Sequence, residues 1–217
     1  MTTKKNAAAA EEEVPTPVGT ARITWHRADA PRLVLALGHG AGGGIGAPDL
    51  QALARALPAD GVTVALVEQP WRVAGKKVAP APKTLDEGWR GLWPALVAAG
   101  PPVVAGGRSA GARVACRTGS ALGARAVLAL SFPLHPPGRP EKSRAEELLG
   151  SGLPTLVVQG AHDPFGAPDE FPAGDHALVA VPDADHSFKV PKRSGRTEAE
   201  TVTTITDAVR RWLRKLP

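Results

Sequence analysis

The stretch VVAGGRSAGA, residues 103–112, decides the fold. Its first three residues are an apolar run typical of a buried strand, and Ala110–Leu122 is a candidate helix, so a glycine-rich turn joins strand to helix. Gly107, Ser109 and Gly111 form the pattern G-x-S-x-G, typical of a nucleophile elbow. Such an elbow needs small neighbours because its serine has a strained backbone. The stretch predicts a parallel sheet with a nucleophilic serine at its edge; the alternative is a glycine-rich turn with an incidental serine.

Apolar runs and amphipathic segments alternate on both sides of this stretch. The strand-like runs cover residues 21–27, 32–37, 62–67, 103–105, 126–130, 155–158 and 177–181. Six are almost entirely apolar, as a sheet buried on both faces requires, whereas the mixed run 21–27 predicts an edge strand. Two helices are predicted to start at Asp49 and at a capping box over residues 84–87. Residues 197–216 are predicted to form a final amphipathic helix.

Strands that alternate with helices predict βαβ units. We therefore expect an α/β fold, with a doubly wound, mostly parallel sheet of about seven strands, helices on both faces and no cap domain.

The length of 217 residues suits one compact domain. Residues 1–18, which contain four alanines, three glutamates and VPTP, are predicted to be a disordered tail, and residues 19–217 a single domain. Neither a run of about 18 apolar residues nor an apolar segment after the first lysines is present, so we expect no membrane helix and no secretory signal. A lone cysteine, Cys116, rules out a disulfide framework within the chain and predicts a cytoplasmic protein.

The net charge of +5 lies entirely in the last 29 residues, because residues 1–188 are neutral overall. No nucleic-acid-binding motif accompanies this charge, so we expect no nucleic-acid partner. The favoured interpretation is a solvated surface whose last cations complement the helix dipole, and an anion-binding face is the alternative. The cations are Lys189, Lys192, Arg193, Arg196, Arg210, Arg211, Arg214 and Lys215.

A second glycine-rich loop, LGHGAGGG at residues 37–44, follows the first buried strand. A phosphate-binding loop is one interpretation, but the Gly-Lys-Ser/Thr of a P-loop is missing, and no acid ends a strand about 20 residues further on. An oxyanion hole fits better. In enzymes with a nucleophile elbow, one N–H of this hole comes from the residue after the nucleophile and one from the loop after an early strand. Those residues are Ala110 and Ala41. His39 is interpreted as a hydrogen-bonding residue of this loop, with a role as base as the alternative.

A serine nucleophile needs a base, and the base needs a carboxylate that orients it. In enzymes with a nucleophile elbow, the three catalytic residues follow one another along the chain in the order serine, acid, histidine. Asp163, in QGAHDPFG, ends one strand, and His186, in DADHSFK, lies between the last strand and the last helix. We predict Ser109, Asp163 and His186 as catalytic residues, with a turn aspartate and a different histidine as the alternatives. No His or Cys pair has metal-ligand spacing, so neither a metal nor a cofactor is expected.

The motifs LGHGAGG, GRSAG, QGAHDPFG and DADHSFK occur in an order that resembles the α/β-hydrolase superfamily, over residues 20–216. EQPW at 68–71 and FPLHPPG at 132–138 resemble its small dienelactone-hydrolase-like branch. That branch includes the testis-expressed hydrolase-like proteins and a subunit of the non-specific-lethal acetyltransferase complex.

The resemblance implies a serine hydrolase that cleaves a carboxylic ester or thioester through an acyl-enzyme. Dienelactone hydrolases proper use cysteine, so Ser109 argues against a dienelactone substrate. Because some members of the branch act mainly as interaction subunits, the alternative is a binding or complex-subunit protein without significant catalysis.

Two loops rich in proline and basic residues, 69–83 and 132–144, are predicted to border the site. We expect a small-molecule ester or thioester as substrate and no membrane partner; the oligomeric state stays open. The predicted substrate contacts are Trp71, Arg72, His135 and Lys142, and the alternative is that both loops are proline-stiffened surface.

Overall fold

The structure is a computed structural model and describes residues 9–216. Its sheet has eight strands in the order β1-β2-β4-β3-β5-β6-β7-β8. The strands are β1 (Ala10–Thr16), β2 (Gly19–His26), β3 (Leu33–Gly38), β4 (Val62–Glu68), β5 (Val103–Arg108), β6 (Val127–Leu130), β7 (Thr155–Gly160) and β8 (Ala177–Val181). The strands β3 to β8 are parallel, whereas β1 and β2 are antiparallel to their neighbours. This confirms the α/β fold, with one strand more than expected.

Helices cover both faces of the sheet. They are α1 (Pro48–Ala56), α2 (Pro70–Val73), α3 (Pro82–Val97), α4 (Ala110–Thr118), α5 (Ala145–Leu149) and α6 (Glu198–Leu213). On one face Trp89 of α3 and Val114 of α4 belong to the core, and on the other Leu53 of α1 and Ile205 of α6 do. Between residues 9 and 216, no helix has the length and apolar character needed to cross a membrane.

The expectation of a disordered tail is wrong for Ala10–Thr16, which form β1 and pair antiparallel with β2. An edge strand needs little apolar sequence, and here Val14 supplies the buried side chain while the three preceding glutamates stay exposed. Glu12 also accepts a 2.8 Å hydrogen bond from the indole N–H of Trp25. The strand predicted at the edge, β2, is thus second from it. Residues 1–8 lie outside the described residues, and a single domain over residues 19–217 stays a prediction.

Two predicted helix starts are wrong because a proline begins each helix instead. In α1 the N-cap is Ala47 and the first residue is Pro48, so Asp49 lies inside the first turn. In α3 the first residue is Pro82, so the capping box expected over residues 84–87 does not form. Proline suits the first helical position because its φ is already helical and it has no N–H to satisfy.

Candidate active site

The turn between β5 and α4 holds Ser109 in a strained conformation, with φ 53° and ψ −111°. The end of β3 runs directly against this turn. A Cβ atom on Gly107 would lie 2.6 Å from the carbonyl oxygen of Gly38, and one on Gly111 would lie 2.5 Å from the same oxygen. Only glycine fits at these two positions, because the backbone of β3 lies so close to them. This close packing sets the position of the serine hydroxyl.

Ser109, His186 and Asp163 lie in hydrogen-bond contact, although they come from three different loops. The distance from Ser109 Oγ to His186 Nε2 is 2.9 Å, and His186 Nδ1 lies 2.8 Å from Asp163 Oδ2. Because an ionised carboxylate only accepts hydrogen bonds, Nδ1 carries a proton and donates it to Asp163. Nε2 then has a free lone pair that faces the serine hydroxyl, as a general base requires.

The carboxylate of Asp163 is held by two further donors. Gln159 Nε2 donates to its Oδ2 and the backbone N–H of Phe165 to its Oδ1, each at 2.8 Å. The ring of Phe165 also stacks on His186, with centroids 4.2 Å apart and planes at 33°. Neither supporting residue was predicted from the sequence, although both lie in the motif QGAHDPFG that contains Asp163.

His39 is buried at the start of the glycine-rich loop and hydrogen-bonds at both ring nitrogens. The backbone N–H of Gln69 donates to Nε2 at 3.2 Å, so Nδ1 carries the proton and donates to the carbonyl of Gly40 at 2.9 Å. Burial lowers the pKa of His39 below its ordinary value, which agrees with this neutral form. His39 is thus a hydrogen-bonding residue of the loop, as predicted.

The hydrogen bond between His39 and the Gly40 carbonyl also orients the peptide that joins Gly40 to Ala41. In a trans peptide the C=O and N–H point in opposite directions, so the N–H of Ala41 points away from His39 when the Gly40 carbonyl points towards it. The loop lies beside the serine, because a Cβ atom on Gly40 would be 3.4 Å from Ser109 Cβ. Ala110 is the first residue of α4, where backbone N–H groups have no acceptor within the helix.

Two of the four predicted substrate contacts lie against the glycine-rich loop. The ring of Trp71 is buried, with its centroid 5.5 Å from that of His39. The exposed side chain of Arg72 reaches the same loop, since its Nε would lie 3.5 Å from a Cβ atom on Gly44. A narrow cavity lined by Trp71 extends to Ala110.

The other two predicted contacts lie on the loop of residues 132–144. Both ring nitrogens of His135 are occupied, by the Pro136 carbonyl at 2.9 Å and a Glu170 carboxylate oxygen at 2.9 Å. The hydrogen bond to Pro136, and then that to Glu170, raise the pKa of His135 above its ordinary value. His135 thus ties its loop to the segment after Asp163, while Lys142 is exposed on the same loop.

Cys116 packs within α4 and is 2% exposed. Burial raises the pKa of its thiol to about 12, so almost no thiolate forms near neutral pH. Because the thiolate is the nucleophilic form of cysteine, Cys116 is a packing residue rather than a nucleophile.

Residues 30–214 match the family model described as "Alpha/beta hydrolase domain". None of the curated proteins compared with the chain matches it. Among solved structures, an α/β serine hydrolase without a lid from Xanthomonas campestris is 20% identical, with a TM-score of 0.72 over 100% of both chains. A dienelactone hydrolase from Anabaena variabilis is 18% identical, with a TM-score of 0.73 over 98% of this chain and 99% of its own.

A thermophilic esterase from Thermogutta terrifontis is also 18% identical, with a TM-score of 0.67 over 96% of this chain and 99% of its own. Likeness at these identities concerns the fold alone.

Proposed function

The chain belongs to the alpha/beta hydrolase domain family, and from that premise we propose that it is a serine hydrolase that cleaves a carboxylic ester or thioester through an acyl-enzyme. One observation carries the proposal: the unbroken line of hydrogen bonds from Asp163 through His186 to Ser109, at 2.8 and 2.9 Å. Such a line activates a serine hydroxyl, and the strained turn presents that hydroxyl at the sheet edge where α/β sites form.

In the proposed mechanism, His186 Nε2 takes the hydroxyl proton while Ser109 Oγ attacks the carbonyl carbon. The negative oxygen of the tetrahedral intermediate accepts hydrogen bonds from the N–H groups of Ala41 and Ala110. Removing one such donor typically costs about 10²–10³ in rate. His186 then protonates the departing alcohol or thiol, and a water molecule repeats the sequence to release the acid and regenerate Ser109. Asp163 keeps the imidazole in the right tautomer and stabilises its cation.

His39 has a supporting role in this proposal, since its hydrogen bond to the Gly40 carbonyl makes the N–H of Ala41 point away from His39. Trp71 and Arg72 are the proposed substrate contacts, because both lie against this loop. Substrate contacts by His135 and Lys142, and membership of the narrower dienelactone-hydrolase-like branch, stay predictions.

A fluorophosphonate probe tests the proposal, because it reacts with an activated serine. We expect labelling of the wild type and of Ser120→Ala, a control at an exposed serine, but not of Ser109→Ala. Equal labelling of Ser109→Ala and the wild type contradicts the proposal. Hydrolysis of esters of graded chain length and of thioesters then identifies the acyl and leaving groups.

The alternative is a binding protein without significant catalysis, and the basic C-terminal segment is a candidate surface for its partner. Within the fold some of that charge is neutralised: Arg210 and Arg214 bind the two carboxylate oxygens of Asp60 at 2.7 and 2.8 Å. A stable partner captured equally by the wild type and Ser109→Ala, together with no probe labelling, would favour the alternative.

A further inference from the structure

Arg108, the residue before Ser109, connects two parts of the molecule that are distant in sequence. Its Nη2 donates a 3.0 Å hydrogen bond to the backbone carbonyl of His186. Its Nε lies 3.6 Å from Oδ2 of Asp49 in the first turn of α1. The side chains of Arg108 and Asp49 are 15% and 2% exposed, so this contact is largely shielded from water.

Asp49 is an unusual residue to bury, because neither of its carboxylate oxygens has a hydrogen bond of good geometry. A buried carboxylate is costly unless other groups compensate its charge. The compensating groups here are the Arg108 guanidinium and, more weakly, the N–H groups at the start of α1. Arg108 is the one side chain among these compensating groups. The negative charge of Asp49 in turn fixes the position of the Arg108 guanidinium.

Arg108 makes a further contact with the loop that carries His186. This loop leaves the sheet after β8, and Asp183 and Phe188 on either side of the histidine have positive φ values of 61° and 55°. Asp163 holds the ring of His186 through Nδ1, and the N–H of His162 donates to the Ala184 carbonyl at 2.9 Å, so both contacts tie the loop to the segment after β7. The Arg108 hydrogen bond adds a link from the backbone of this loop to β5, the strand that leads to the nucleophile.

We propose that Arg108 is a positioning residue that fixes the backbone of His186 relative to Ser109, with Asp49 as the buried counter-ion that orients its guanidinium. This inference rests on the proposed function. Its two contacts join the turn of the nucleophile, the loop of the base and the start of α1 into one unit. Small displacements of catalytic groups are costly, since about 1 Å can reduce the rate about 100-fold.

The test compares four variants in steady-state hydrolysis of an activated ester. Arg108→Met removes both contacts, Arg108→Lys keeps the charge, Asp49→Asn removes the counter-ion, and Arg113→Met is the control. Arg113 is a similarly buried arginine of α4 that binds Glu147 at 2.6 Å. We expect Arg108→Met to lower kcat about 10- to 100-fold with KM within about twofold, and Arg108→Lys to restore part of that loss. Arg113→Met should lose thermal stability but keep kcat within about twofold of the wild type.

The pH–rate profile gives a readout that a merely structural role would not move. Within residues 9–216, Asp163 and Arg108 are the charged residues that hydrogen-bond to His186. Loss of a nearby cation favours the protonated base, so the acidic midpoint of kcat/KM should move to higher pH in Arg108→Met. Loss of the anion should move it to lower pH in Asp49→Asn.

The inference fails if Arg108→Met keeps the kcat of the wild type, or if Arg108→Met and Arg113→Met lose activity in proportion to lost stability. Shifts of the acidic midpoint in the same direction in Arg108→Met and Asp49→Asn also overturn it. These outcomes are distinct from failure of the proposed function, in which the wild type itself shows neither hydrolysis nor probe labelling.

Discussion

Asp163 and Asp49 are equally buried, at 2% exposure each, but their surroundings differ completely. The Asp163 carboxylate accepts hydrogen bonds from His186, Gln159 and the backbone of Phe165. The Asp49 carboxylate has no hydrogen bond of good geometry and faces the Arg108 guanidinium at 3.6 Å. Burial raises the pKa of Asp49 above its ordinary value, against the opposing effect of Arg108.

The difference shows that burial alone says little about the role of a carboxylate. The donors around Asp163 hold it in one orientation, which suits a group that must orient a histidine. Asp49 has charge compensation without fixed hydrogen bonds, which suits a group that acts on its partner by attraction. Donor geometry, rather than burial, separates the two roles.

The largest expected effect follows from Asp163→Asn. The amide cannot reproduce the acceptor surface of the carboxylate, so His186 loses the partner that fixes its tautomer. We expect kcat to fall by about 10³–10⁴ in steady-state ester hydrolysis. Asp169→Asn, at an exposed aspartate of the same loop, is the control and should leave kcat unchanged. A loss below about tenfold would show that Asp163 does not orient the base.

Gln159→Met makes Asp163 more like Asp49, because it removes one of its donors. The same Gln159 amide also donates to the Gly166 carbonyl at 2.8 Å, so the loop after β7 loosens as well. We expect kcat to fall about tenfold and the free energy of unfolding to fall by about 1–3 kcal/mol. Urea unfolding and steady-state kinetics on one preparation check both values. If a destabilised Gln159→Met kept the kcat of the wild type, the loosened loop would have no effect on catalysis.

A smaller effect is expected from Phe165→Leu, which removes the ring stacked on His186 but keeps the backbone N–H that binds Asp163. Aromatic pairs contribute about 0.5–1.5 kcal/mol beyond area burial, so kcat should fall about two- to tenfold. Phe171→Leu is the matched control, since the Phe171 ring meets Phe132 edge to face, with centroids 6.4 Å apart and planes at 65°, and does not stack on His186. Equal effects of the two substitutions on kcat would refute a specific role of the stacked ring.

The last expected effect concerns the free energy of unfolding, which should change in opposite directions when each of the two aspartates is replaced. A raised pKa means that folded Asp49 binds its proton more tightly than the unfolded chain does. Its stabilising contribution is therefore present below the ordinary pKa of aspartate and is lost as the pH rises through the raised value. Asp49→Asn should raise the free energy of unfolding at pH 7, whereas Asp163→Asn should lower it by about 1–3 kcal/mol. Urea unfolding between pH 4 and 8 measures both; a destabilised Asp49→Asn would mean that its attraction to Arg108 exceeds its burial cost.

Much of this site was predictable because its signals are local. Apolar runs mark the central strands, and the order of Ser109, Asp163 and His186 places them at strand ends that meet at one edge of a parallel sheet. The contact of Asp49 with Arg108 was not predictable, since no local pattern records an ion pair between residues so far apart. The helix starts were mispredicted because Pro48 and Pro82 serve where a polar cap was expected. The role of His135 was hidden for the same reason as that of Arg108: its partner Glu170 is remote in sequence.

The pairing of β1 with β2 has a practical consequence for anyone who shortens this protein. Removal of residues 1–18 as an apparent tail would strip the outermost strand and leave the backbone donors and acceptors of β2 open to solvent. Ile23 and Trp25, now 0% and 2% exposed, would lie next to that open edge. Unpaired edges with apolar side chains recruit strands from other molecules, so the shortened chain should self-associate. Residues 11–13 place three negative charges on the edge strand, and such charges disfavour the pairing of a strand from another chain with this edge.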